Sequence, residues 1–161
     1  MSIERILTTI NLYLKSIEDR LQILERVHLE QTAPKPLSLD LINSKLPLQQ
    51  VGEITEFENL LLKNEDAVKQ FKYIVSIAGG NSHKDTVARV LTKVFTNTCA
   101  ELCSWAGQQG NFAVQKLHLI VLTRDTLYYT STMQEAEFEA NVKEWFRLAG
   151  QRKRREKTAL H

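Results

Sequence analysis

Six cations crowd one stretch near the end of the chain. Arg147, Arg152, Lys153, Arg154, Arg155 and Lys157 stand against a single acid, Glu156, giving +5 over eleven residues. The whole chain carries a formal net charge of only +2, so the remainder is at −3. Charge of one sign packed this tightly suits three roles: a contact to the phosphates of nucleic acid, a nuclear import signal, or a solvated helix end that complements the helix dipole. Six phosphate contacts would give duplex binding a salt slope of about −5. Trp145 and Phe146 precede the run directly.

The other side chains able to do chemistry are sparse and poorly spaced for it. Cys99 and Cys103 lie four apart, with His83 and His118 elsewhere. Zinc needs four ligands, usually presented as two tight cysteine pairs or a cysteine and a histidine pair. One pair alone reads as two small buried hydrophobes, and no metal or other cofactor is expected. Two cysteines make no disulfide framework, which fits a reducing, intracellular setting. No G-x-S-x-G, H-E-x-x-H or G-x-x-x-x-G-K motif occurs. Gly79–Gly80–Asn81–Ser82 precedes a helix and would either cap it or seat an anion there. The acids Glu53, Glu56 and Glu58, and later Glu135, Glu137 and Glu139, fall in first helical turns, where they complement the dipole. No catalytic residue is expected, and the chain reads as a non-enzyme.

The elements that must position the basic run are helical. Ile54, Phe57, Leu60 and Leu61 share one face, and Val68, Phe71, Ile74, Val75 and Ala78 the next, which Gly79–Gly80 ends. Ser82 with Asp85 predicts a capped helix carrying Val87, Val90, Leu91, Val94 and Phe95. Cys99, Leu102 and Cys103 read as a short continuation ending near Trp105, and 106–111 as a loop. Length favours a helix for Val114, Leu117, Ile120, Val121 and Leu122. Thr132 with Glu135 predicts the cap of a last helix whose face is Phe138, Val142, Trp145, Phe146 and Ala149. The expected core centres on Phe71, Val94, Phe95, Trp105, Phe112, Ile120 and Trp145. The expected fold class is all-α: an N-terminal coiled-coil helix (1–32), a Pro-containing linker (33–47, with Pro34, Pro36 and Pro47), and a compact multi-helix globular domain (48–161) ending in the basic tail.

The N-terminal helix has the sharpest pattern. Ile3, Leu7, Ile10, Leu14, Ile17, Leu21, Leu24 and His28 are separated by 4, 3, 4, 3, 4, 3 and 4 residues, the 3.5-residue period of a left-handed coiled coil. Leucine falls at a (Leu7, Leu14, Leu21) and mainly isoleucine at d (Ile3, Ile10, Ile17, Leu24), a choice that shifts preference from dimers towards trimers and tetramers. Ile6, Tyr13 and Val27 at g widen the stripe. Ile3, Leu7, Ile10, Leu14, Ile17, Leu21 and Leu24 are therefore the expected self-association surface of a homo-oligomer, with a tetramer favoured over a dimer; the competing reading folds this helix back on its own domain. No apolar run approaches the ~20 residues of a membrane span, and Met-Ser-Ile-Glu-Arg lacks the layout of a secretory signal.

Residues 46–156 resemble the domain-of-unknown-function family numbered 4806. The resemblance rests on Leu46-Pro47-Leu48, Glu56–Leu61, Ile77-Ala78-Gly79-Gly80, Arg89–Asn97, Ser104-Trp105-Ala106-Gly107, Phe112 with Leu117, and Val142-Lys143-Glu144-Trp145-Phe146-Arg147 through Arg155. More weakly, Leu91–Phe95, the glycine loop 107–110, Val114–Leu122 and Phe138–Arg155 follow the order of segments in BEN domains, all-α modules that bind DNA or chromatin partners. That likeness implies Arg147 and Arg152–Arg155 as nucleic-acid contacts. The expectation is a nuclear, self-associating module that binds DNA or a chromatin protein, set against a pure interaction scaffold whose basic tail serves import or solubility.

Overall fold

The computed structural model describes residues 3–32 and 38–159. The chain divides into two units, Met1–Leu37 and Ser38–His161. Helix α1 (Ile3–Thr32) runs 30 residues, about 45 Å at 1.5 Å per residue. It contains neither glycine nor proline, so nothing in the backbone interrupts it.

The second unit begins ten residues earlier than the sequence predicts. Pro34 and Pro36 lie outside the described residues, but 38–47 are folded rather than linker. Asp40–Asn43 forms a short helix, α2, with Leu39 at its N-cap, and the Ser38 hydroxyl just before it donates to the Asp40 carboxylate. Ile42 and Leu48 are fully buried. Leu48 N–H donates to Val94 O (2.8 Å), and Leu48 O accepts from Thr96 N–H (3.0 Å). Two apolar side chains and a bridged backbone tie this segment to the core, and that outweighs the extended bias of Pro47.

Three longer helices and a short one come next. Helix α3 (Val51–Lys63) buries Ile54, Phe57 and Leu61; α4 (Glu65–Ser76) buries Phe71, Ile74 and Val75. Asn64 joins them, its side chain accepting from Asp66 and Ala67 N–H. Helix α5 (His83–Val94) opens on the predicted reciprocal cap: Ser82 Oγ accepts from Asp85 N–H, and Asp85 Oδ2 accepts from Asn81 N–H. The Asn81 amide first, then the Arg89 guanidinium, holds the Asp85 carboxyl below the usual carboxylate range. Only glycine fits at Gly80, since a Cβ there would lie 2.4 Å from Thr86 Oγ1 and 2.6 Å from its backbone nitrogen. Thr96 caps the short α6 (Asn97–Ala100).

Three local expectations are corrected here. Cys103 does not continue a helix; Cys103–Ser104 is a strand, β1, paired in parallel with β2 (Phe112–Ala113). Between them a 3₁₀ turn, Gln108–Gly110, occupies part of the expected loop. Helix α7 (His118–Thr130) starts after Val114 and Leu117, because its cap comes from another element: Glu58 of α3 accepts from His118 and Leu119 N–H (2.6 and 2.9 Å). Helix α8 (Glu135–Arg147) follows Gln134 rather than Thr132 and has no side-chain cap; Glu135 pairs with Arg124 instead.

Helix α4 packs on α7 and α5 on α8. Phe71, Val94, Phe95, Ile120 and Trp145 are buried as predicted, while Trp105 and Phe112 are only partly buried at the margin. Phe95 meets both Phe146 (ring centroids 5.3 Å) and Trp145 (6.3 Å). The described residues are mostly helical, with a single two-stranded sheet. No helix among them is long and apolar enough to cross a membrane.

Candidate functional site

Arg147 ends α8, and the other five cations of the basic run lie in the next helix, α9 (Ala149–Ala159), joined to α8 through the single residue Leu148. A helix sorts its residues by angle, and here it sorts the charges. Ala149, Arg152, Lys153 and Glu156 recur at 3, 1 and 3 residues, which places them on one face. That face packs on α6.

Arg152 makes the central contact. Its Nε donates to Asn97 Oδ1 (2.8 Å), its Nη1 donates to Trp145 O (2.7 Å), and its guanidinium carbon lies 4.0 Å from the centre of the Trp145 ring. Burial pushes the guanidinium down from its ordinary value, with Glu156 acting the other way. Lys153 bonds Glu101, and Asn97 Nδ2 donates to Glu156. Two of the six predicted contact cations are thus committed to holding α9 in place.

Arg147, Arg154, Arg155 and Lys157 are exposed. Arg147 has Glu144 at 3.9 Å, the longest ion pair among the described residues. Arg154, Arg155 and Lys157 form no side-chain ion pair among them. Gly150, Arg154 and Lys157 share a face of α9, spaced 4 and 3. The outcome is an ordered helix anchored by its inner charges and presenting its outer ones to solvent. Asn97, Glu101 and Glu156 were not singled out from sequence, although the apolar Ala149 three residues before Arg152 hinted at an inward face.

In α1, Ile3, Leu7, Ile10, Leu14, Ile17 and Leu21 are 47–75% exposed, and Ile6 and Tyr13 beside them are exposed as well. The heptad stripe is an open apolar face, of a size that folded chains rarely leave uncovered. Leu24 lies in the same helix, its side chain outside the described residues.

The remaining reactive side chains have structural roles. Cys99 and Cys103 are both buried, the Cys103 thiol donating to Cys99 O (3.4 Å); the neighbouring Cys99 thiol first, and then burial, pushes Cys103 up. Among the described residues no three His, Cys, Asp or Glu side chains cluster as metal ligands would. His83 Nδ1 lies 2.9 Å from Glu137, and Lys84 Nζ 3.2 Å from Glu144, two surface links between α5 and α8. At the glycine turn, Asn81 and Asp85 N–H already bond Asp85 and Ser82, so the turn caps α5 with its own side chains. Compared with family models, with curated proteins and with solved structures, the chain matches none.

Proposed function

We propose that this chain is a non-enzymatic, self-associating nuclear module that binds DNA through Arg147, Arg154, Arg155 and Lys157, with α1 gathering several copies. One observation carries the reading. A single run of charge is divided between an inner pair that fixes α9 and an outer set turned to solvent, in which Arg154, Arg155 and Lys157 have no ion pair among the described residues and Arg147 has only the 3.9 Å one to Glu144. Phosphate is the partner chemistry such a set suits. The weak resemblance to BEN domains agrees with this reading by fold-level analogy.

Self-association follows from the heptad stripe. A tetramer is favoured over a dimer because leucine at a and isoleucine at d suit four-stranded packing. Each assembled copy would bring its own α9, so binding to one duplex becomes multivalent and tightens without any new contact. The same run of cations would serve nuclear import.

A second reading has an observation of its own. With Arg152 and Lys153 held inside, four cations remain, and an exposed stripe in α1 is sufficient for a protein-only scaffold or a chromatin-protein adaptor. Anisotropy of a labelled random duplex separates the two. Four phosphate contacts per chain give a salt slope of about −3.6, hence an affinity loss of roughly 150-fold between 50 and 200 mM salt. Binding that weakens on that scale supports the DNA reading. No binding at 50 mM salt, by the duplex or by a single strand of the same sequence, refutes it and leaves the scaffold.

A further inference from the structure

A cleft of about 870 Å³ opens between the 101–111 segment and the end of α8. This volume is typical of ligand sites and far larger than the 320 Å³ hollow beside Pro47. Its lining combines Trp105, Gln108, Gln109 and Asn111 with Lys143 and Arg147. The side-chain amides of Gln108, Gln109 and Asn111 make no hydrogen bond among the described residues. They stand on a loop with three left-handed positions in four residues: Gly107 (φ +75°), Gln109 (φ +56°) and Gly110 (φ +79°). Glutamine adopts that conformation at a cost, and such local strain concentrates where a surface is shaped for a ligand. Ser104 Oγ accepts from Gln108 N–H (2.8 Å) and fixes the start of the turn. Lys143 Nζ sits 5.8 Å from the Trp105 ring centre. The single acid lining the cleft, Glu101, is already bonded to Lys153.

The cleft does not end at Arg147. Gly150 also lines it, and Arg154 and Lys157 continue from Gly150 along the same face of α9. A row of cations therefore leads to a recess lined by the rings of Trp105 and Phe146 and by three side-chain amides without a hydrogen bond among the described residues.

We infer that the cleft receives an unpaired nucleobase, and that the preferred ligand is single-stranded nucleic acid laid along Arg154 and Lys157 towards Arg147. This rests on the nucleic-acid reading above and narrows it. A base offers a flat π surface for Trp105 and an edge carrying both donors and acceptors, which primary amides match with both of theirs. Its phosphate would fall to Arg147. Bases inside a duplex are stacked and paired and cannot enter without being flipped out, so the recess favours the unpaired strand.

The test compares the full chain against a labelled 12-nucleotide single strand and the duplex of the same sequence at 50 mM salt. The single strand is expected to bind about 10-fold or more tightly, since a stacked base is worth that much. Binding should quench tryptophan emission, and Trp105→Leu should abolish the quenching while Trp145 remains. Gln108→Ala, at an exposed position, should lower single-strand affinity and leave duplex affinity unchanged. Arg154→Gln should weaken both ligands alike. Equal affinity for the two forms, or wild-type single-strand binding by Gln108→Ala together with a folded Trp105→Leu, overturns the base site while leaving the nucleic-acid reading intact. An acidic peptide that quenches Trp105 where the single strand does not would overturn it too. Failure of both nucleic acids to bind overturns the proposed function itself.

Discussion

Replacing Arg152 by alanine should destabilise the globular unit, whereas replacing Arg154 two residues later should not. Arg152 donates two charge-assisted hydrogen bonds, to Asn97 Oδ1 and Trp145 O, and covers the Trp145 ring. Bonds of that kind contribute about 1.5–3 kcal/mol each, and a partly exposed cation–π contact about 0.5–1 kcal/mol. Two considerations lower the sum. The site is only partly buried, so water screens part of each term. Arg152 Nη2 is buried without a partner among the described residues, so removing the group also relieves a desolvation penalty. A net loss of about 2–4 kcal/mol remains, or a fall in Tm of roughly 8–16 °C for a unit of this size. Arg154→Ala touches nothing but solvent and should stay within about 0.5 kcal/mol of wild type. Arg152→Lys keeps the charge but loses the planar fork, and should fall between the two. Thermal unfolding followed by circular dichroism at 222 nm reads all three. Equal melting of Arg152→Ala and Arg154→Ala would refute the division of α9 into an anchoring face and an outward face.

Three further outcomes follow from other parts of the molecule. Leu14→Asp places a charge in the middle of the α1 stripe and should reduce the particle mass in light scattering to that of one chain; an unchanged mass would exclude the stripe as the assembly surface. Gly80→Ala should lower stability by about 2 kcal/mol, because its Cβ meets the Thr86 backbone and must displace it; a wild-type melting curve would contradict the close approach. Asp85 has a folded-state pKa below its unfolded value, so its contribution is present above the ordinary carboxylate pKa and fades as pH falls through the folded value. The Tm gap between wild type and Asp85→Ala should therefore be constant near neutrality and narrow in acid; a gap that widens in acid would reverse the assignment.

Local signals in the sequence reported local structure well. The Ser82–Asp85 box, the glycine stop at Gly79–Gly80 and the apolar faces of α3, α4, α5 and α8 could be read because each depends on residues within a turn or two of one another. What escaped depends on partners far along the chain. Helix α7 begins at His118 because Glu58, sixty residues earlier, caps it. Cys103 lies in a strand because Phe112 pairs with it. The segment 38–47 folds because Ile42 and Leu48 find a core that composition does not display. The site shows the same division. The density of charge in α9 was visible in the sequence, but which cations face outward was set by Trp145 just before the run and by Asn97 and Glu101, some fifty residues earlier. The α1 heptad was plain from spacing alone.

The most direct measurement of the central claim compares Lys153→Gln with Arg154→Gln, since each removes one charge from the same helix, one inner and one outer. Duplex affinity would be measured by anisotropy across 50–200 mM salt. The account predicts that Arg154→Gln weakens binding and lowers the magnitude of the salt slope by about 0.9, while Lys153→Gln leaves the slope at its wild-type value. Equal losses of slope from both variants, or from neither, would contradict it.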